Sequence, residues 1–215
     1  MLLRAEASIN LMNGYGNAGN LPEARALFDA MTTLGNTPKI MLERAKASFN
    51  LIVWYGNAGE LSEARALFDA MTELGNTLEF MLLRAKASVN LIDRYCNVGK
   101  LPEARMLFNA MTTLGSTSEF MLLRAQASID LVNGYGNARN LPEARALFDA
   151  MTELGKTPEI MLLRAKASFN LIVWYGSAGE LSEARALFDV TDNLSDAPEI
   201  KAARAQLADL LDNPE

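Results

Sequence analysis

Residues 38–75 read PKIMLERAKASFNLIVWYGNAGELSEARALFDAMTELG, and the spacing of their apolar residues decides the fold. In the first half Met41, Ala45, Ser48, Leu51, Ile52 and Tyr55 fall on one side of a 3.6-residue period. In the second half Leu61, Ala64, Leu67, Phe68, Met71 and Leu74 do the same. Thr37 is a good N-cap and Pro38 fits a first helical turn, so a helix A is expected from about Pro38 to Asn57, stopping near Gly59. A helix B opens at Leu61-Ser62-Glu63. The other copies put Pro22, Pro102 and Pro142 in its first turn, and Glu23, Glu63, Glu103, Glu143 and Glu183 suit the positive end of its dipole. Gly35, Gly75, Gly115 and Gly155 read as the C′ residues that end it in the left-handed conformation.

The same words return without a gap every forty residues, giving repeats 1–40, 41–80, 81–120, 121–160 and 161–200. Repeats one and four are close copies, as are two and five. Two helices cannot cover their own apolar faces, so neighbouring units must stack into a single repeat domain spanning 1–215. Residues 201–215, KAARAQLADLLDNPE, keep the Arg204-Ala205 pair but bring in Lys201, Asp209 and Asp212, as a polar C-terminal capping helix would. Met1 enters its helix without a Thr-Pro start, which leaves an uncapped N-terminal face and raises self-association as one reading.

Composition excludes much chemistry. There is no histidine and one cysteine, so zinc sites of the Cys/His type, Ser-His-Asp triads and Cys-His dyads cannot be built from this chain alone. No carboxylate pair sits in an acid/base constellation and no phosphate loop occurs, so no catalytic residue, metal ligand or cofactor is expected and the chain reads as a non-enzyme. Cys96 reads as a small residue at a position that is Gly in the other four copies. A lone cysteine forms no internal disulfide, which favours a reducing compartment such as the cytoplasm. The opening MLLRAEASINLMNGYGNAG is not a targeting segment, because its words recur deep in the chain. No apolar run approaches the ~20 residues needed to cross a bilayer, and no membrane contact is expected. The net charge of −6 argues against a general polyanion partner.

Leu51, Tyr55, Gly59, Ala64 and Phe68 stand where the tetratricopeptide repeat has its Leu, Tyr, Gly, Ala and Phe. LIDRYCNVGKLPEARMLFNAMTTLG (91–115) resembles a pentatricopeptide repeat even more closely. Both families are helical-hairpin solenoids. The resemblance therefore implies an all-α fold, a right-handed α-solenoid of five helix-turn-helix repeats plus a C-terminal capping helix. The unit departs from both in length, its helix A being about five or six residues longer. Pentatricopeptide proteins read RNA bases with a polar residue early in helix A. The matching positions here hold Ile9, Phe49, Val89, Ile129 and Phe169, while Glu6, Lys46, Lys86, Gln126 and Lys166 stand at the apolar clamp position. That inverted polarity, in an acidic chain, disfavours nucleic acid; single-stranded RNA stays open as the alternative.

The arc of helix A opposite its core holds Lys46, Asn50, Val53 and Asn57; Lys86, Asn90, Asp93 and Asn97; Gln126, Asp130, Asn133 and Asn137; and Lys166, Asn170, Val173 and Ser177. Most substitutions among the copies fall on or beside this stripe, and in related solenoids helix A lines the concave groove. Asn offers a donor and an acceptor, so a ladder of them matches the backbone of an extended peptide. The lysines would favour an acidic one. Lys46/Asn50, Lys86/Asn90 and Lys166/Asn170 are similar to part of the carboxylate clamp of some tetratricopeptide domains. The expected function is thus a protein- or peptide-binding scaffold, with ordinary exposed residues or a self-assembling structural repeat as the other readings of the stripe. Trp54 and Trp174, at its edge, read either as packing between neighbouring helices or as partner anchors.

Overall fold

The computed structural model describes residues 1–190 and 198–212. Among them the chain forms eleven α-helices and no strand: α1 (Leu2–Asn17), α2 (Leu21–Met31), α3 (Pro38–Asn57), α4 (Leu61–Met71), α5 (Leu78–Asn97), α6 (Leu101–Met111), α7 (Ser118–Asn137), α8 (Leu141–Ala150), α9 (Pro158–Ser177), α10 (Leu181–Val190) and α11 (Pro198–Asp212). Long and short helices alternate in a repeating helix-turn-helix arrangement, the expected all-α solenoid. The helices fall into two compact units. One comprises Met1–Arg94 with Ala110–Gly115, the other Tyr95–Asn109 with the residues from Ser116 onward.

Within the first unit α1 packs on α2, and α3 packs on both of them as well as on α4. Within the second, α9 stands in the same relation to α7, α8 and α10, and α11 packs on α9 and α10. Small residues make the A-on-A approach close: Ala45, Ala47, Ala85, Ala87, Ala125 and Ala127 are fully buried. Leu51, Ile52, Leu67, Phe68, Met71 and Leu74 form the core that the periodicity anticipates, each burial contributing roughly 1.5–3 kcal/mol. Ser48, Ser88, Ser128 and Ser168 are buried too. In the last three the hydroxyl donates to a carbonyl of its own helix, to Arg84, Arg124 and Ala165 respectively, so no polar group is stranded there.

The helix ends follow from local chemistry. Thr37 and Thr157 accept from the backbone N–H of Ile40 and Ile160 ahead of Pro38 and Pro158. Each A helix closes in a Schellman turn. In α3 the N–H of Gly59 donates to Gly56 and that of Glu60 to Tyr55. The turn needs a positive φ, which Gly59 supplies at 80°; the fourth copy has Arg139 there, at 56°. The α-helical part of B ends sooner than Gly35 and Gly155 suggest. It passes into a 3-10 turn over Thr32–Leu34 in the first copy and Met151–Leu154 in the fourth. The Thr32 and Thr33 hydroxyls take the carbonyls of Asp29 and Ala30, competing with the ladder. Gly35 then sits at φ 100°, ψ 179°, a positive φ with an extended ψ rather than a left-handed helical cap.

At the far end, Arg204 of α11 donates to the carbonyl of Phe188 at 2.7 Å and lies over its ring. Ile200 and Leu207 are buried against the preceding hairpin. The side chains of Asp209 and Asp212, expected to make this helix polar, lie outside the described residues. In the first helix Leu3 and Leu11 are 80% and 52% exposed, whereas Leu51, Leu91, Leu131 and Leu171, the counterparts of Leu11, are fully buried.

Candidate functional site

The stripe on the A helices is solvent-accessible along most of its length. Lys46, Asn57, Lys86, Asn97, Asn137, Lys166, Val173 and Ser177 are exposed. Asn50, Val53, Asn90, Asp93, Gln126, Asp130, Asn133 and Asn170 are half-buried, as are Trp54 and Trp174. Lys46 is engaged within its own helix, 2.7 Å from Glu43.

The tryptophans do what the packing reading of them requires. A methyl group placed on Gly16 would lie 2.3 Å from the Trp54 indole, and one on Gly136 would lie 2.4 Å from that of Trp174. Each indole is therefore laid flat on bare backbone of the preceding A helix. The third copy repeats the device with the stem of Arg94 on Gly56, at 3.3 Å by the same construction. The fourth inverts it. Gly134 is the small partner there and Cys96, buried, is the large one, 2.9 Å from where a Cβ on Gly134 would stand. Cys96 thus fills a site that glycine occupies in the other copies, as the sequence suggests, and the following helix gives up its side chain to admit it.

Trp54 also faces solvent from this position. It borders two depressions between α1 and α3, of about 440 and 290 Å³, that share Asn17, Val53 and Trp54. The larger adds Gly16, Gly19, Leu21, Asn57 and Ala58; the smaller adds Asn13, Phe49 and Asn50. The structure therefore gathers Asn50, Val53, Asn57 and Trp54 into one groove, together with residues that sequence reasoning did not include. Asn13 and Asn17 were readable from the stripe, since they hold its positions in the first copy. Phe49 enters the sequence reading only at the base-reading position, where its apolar ring reads no base edge.

The asparagine ladder partly pairs with itself. The Asn50 amide donates to Asn13 Oδ1 at 2.9 Å, and the Asn170 amide to Asn133 Oδ1 at 2.8 Å, each bond joining consecutive A helices. At the next junction the residue corresponding to Asn13 is Val53, which carries no hydrogen-bonding group. Asn90 Oδ1 is buried there with no partner among the described residues. None of the residues lining the two depressions is charged. The nearby cations are held elsewhere: Arg44 and Arg84 donate to the loop residues Asn36 and Asn76. Arg25 and Arg65 pair with Asp29 and Asp69 along their own helices. Tyr55, in the core beside the groove, has its phenol pushed up by burial, against the opposing field of Arg25. No group of three or more Cys, Asp or Glu side chains able to hold a metal occurs among the described residues. No helix of those residues is long and apolar enough to cross a membrane.

Comparison with curated proteins gives no match. The model of the PPR repeat matches four times, at residues 10–36, 50–76, 89–116 and 130–155, together half of the chain. Each match opens inside an A helix: the second begins at Asn50, twelve residues after the start of α3. A repeat scaffold of this kind is typically non-enzymatic. With hairpins, helix punctuation and matched segments all in register, the chain belongs to the pentatricopeptide (PPR) repeat family.

Proposed function

We propose that this PPR repeat scaffold binds extended peptides along the exposed face of the A helices within each unit, with Trp54 as the anchor in the first and Trp174 in the second. The observation that carries the reading is the lining of the groove between α1 and α3, in which aromatic rings and amides converge with no charged residue among them. Amides match a peptide backbone in both directions, and aromatic surface accommodates its side chains. A phosphodiester chain needs cations along its track, and this lining offers none. Lys46, Lys86 and Lys166 border the face, where they favour acidic residues flanking the bound segment.

The second reading is single-stranded RNA. What favours it is the family itself, since PPR repeats commonly bind RNA, together with that column of lysines. Against it stand the apolar residues at the base-reading positions, of which Ile9 is buried and Phe49 belongs to the groove. The two readings separate in one experiment. Peptides selected from a random library on the immobilised protein are tested against Val53→Glu with Val173→Glu, and against charge reversal at Lys46, Lys86 and Lys166. Peptide binding predicts at least a tenfold loss with the valine changes. Selection that yields no peptide, while an oligouridine binds and is lost on charge reversal, would overturn it.

A further inference from the structure

We infer that the groove beside Trp54 and its counterpart beside Trp174, where Ser177 stands in place of Asn57 and donates to the Val173 carbonyl, are two related sites for proline-containing segments in the polyproline II conformation, an assignment that rests on the peptide reading above. Asn13 Oδ1 is taken by Asn50, which leaves the Asn13 NH₂ group to donate outward. Asn17 and Asn57, both exposed, add two more amides on the rim. A polyproline II strand is the peptide conformation that matches such a surplus. Its carbonyls point outward unpaired, and each proline removes an N–H that would otherwise need an acceptor. The rings of such a strand pack on flat aromatic walls, which Trp54 and Phe49 supply, and the ligand enters with little conformational entropy left to lose. The uncharged lining fits a neutral ligand of this class.

The arrangement recurs once. Trp174 lies on Gly136 as Trp54 lies on Gly16, and Asn170 pairs with Asn133 as Asn50 pairs with Asn13. Phe169 holds the position of Phe49. The intervening A helices lack the set. Arg94 replaces the indole in the third copy, and Gly134 leaves no side chain there in the fourth. Two sites follow, and the only two tryptophans of the chain mark them one each.

The experiment titrates the whole protein with decaproline and with a ten-residue alanine–serine peptide, following tryptophan emission and calorimetric stoichiometry. Decaproline should bind at two sites and shift the emission, and the alanine–serine peptide should bind at least tenfold more weakly. Trp54→Ala should leave a single site. Since that change also strips packing from Gly16, the exposed pair Asn17→Ala with Asn57→Ala serves as a second variant, and should weaken one of the two sites about tenfold while leaving the other unchanged. Equal binding of the two peptides would overturn the proline assignment and leave the peptide reading intact. Binding of neither peptide, with oligouridine bound in their place, would overturn both. A single site, or two sites untouched by all three substitutions, would overturn the placement at the tryptophans.

Discussion

Gly14 and Gly16 lie two residues apart in α1, and the same substitution should act on them with opposite sign. A Cβ on Gly14 meets nothing within 4 Å, so Gly14→Ala removes backbone entropy from the unfolded chain without cost in the folded one. The expected gain is about 0.5–1 kcal/mol. A Cβ on Gly16 falls 2.3 Å from three atoms of the Trp54 ring, well inside van der Waals contact. The indole must leave its seat, at a cost near the upper end for overpacking, about 3 kcal/mol. Subtracting the same propensity gain of about 1 kcal/mol leaves Gly16→Ala destabilising by about 2 kcal/mol. For a chain of this length that is a fall in Tm of about 4–8 °C, against a rise of about 1–4 °C for Gly14→Ala. Calorimetry gives the melting shifts, and tryptophan emission reports whether the indole has moved. A double-mutant cycle of Gly16→Ala with Trp54→Ala then isolates the clash, because most of the penalty should vanish once the ring is gone. A Tm raised by Gly16→Ala as by Gly14→Ala, or a penalty that persists without the indole, would refute the clash between Gly16 and Trp54.

Three other outcomes follow from the geometry. Arg139 holds a positive φ that glycine supplies in the other four Schellman turns, so Arg139→Gly should stabilise by about 1 kcal/mol in a melting experiment; an unchanged or lower Tm would contradict this. Gly134→Trp should destabilise strongly against Cys96 and Leu101, and adding Cys96→Gly should recover more than half of the loss, which a urea titration of single and double variants measures. Burial raises the phenol pKa of Tyr55, Tyr135 and Tyr175, so the folded state holds those protons more tightly than the unfolded chain. Their contribution is fully present below the ordinary phenol value of 10.0 and is lost as pH rises past it, so unfolding free energy should stay level from pH 8 to 9.5 and fall by pH 11.

The helices were legible because their information is local. Thr37-Pro38 fixes the start of α3 and the Gly59 turn its end, within a few residues of each element. The junctions between copies were harder to read. Trp54 meets Gly16 and Asn50 meets Asn13 across 38 and 37 positions, and periodicity alone does not say which residue of one A helix lies over which residue of the next. A signal existed all the same. In this chain the residue one before the end of an A helix and the residue three before the end of the next trade size: Gly with Trp, Gly with Arg, Cys with Gly, and Gly with Trp. Cys96 alone is the exception in its column, and only when set beside Gly134 of the next copy does it show that the two positions touch. The stripe residues are exposed or half-buried, and its asparagines read as ligand donors although Asn50 and Asn170 each spend an N–H on an asparagine of the preceding A helix. Hydrogen bonds between side chains of different copies depend on their separation in space, which a helical wheel drawn for one helix does not contain.

The most direct test of the peptide-binding account is the salt dependence of binding on one preparation of the protein, with a selected peptide and an oligouridine each titrated at 50 and at 200 mM salt. A neutral groove predicts a peptide affinity that changes less than about threefold across that range, with oligouridine neither binding tightly nor displacing the peptide. An oligouridine that binds tightly, weakens at least about tenfold over the same interval and competes the peptide away would contradict the account and assign the A-helix face to RNA.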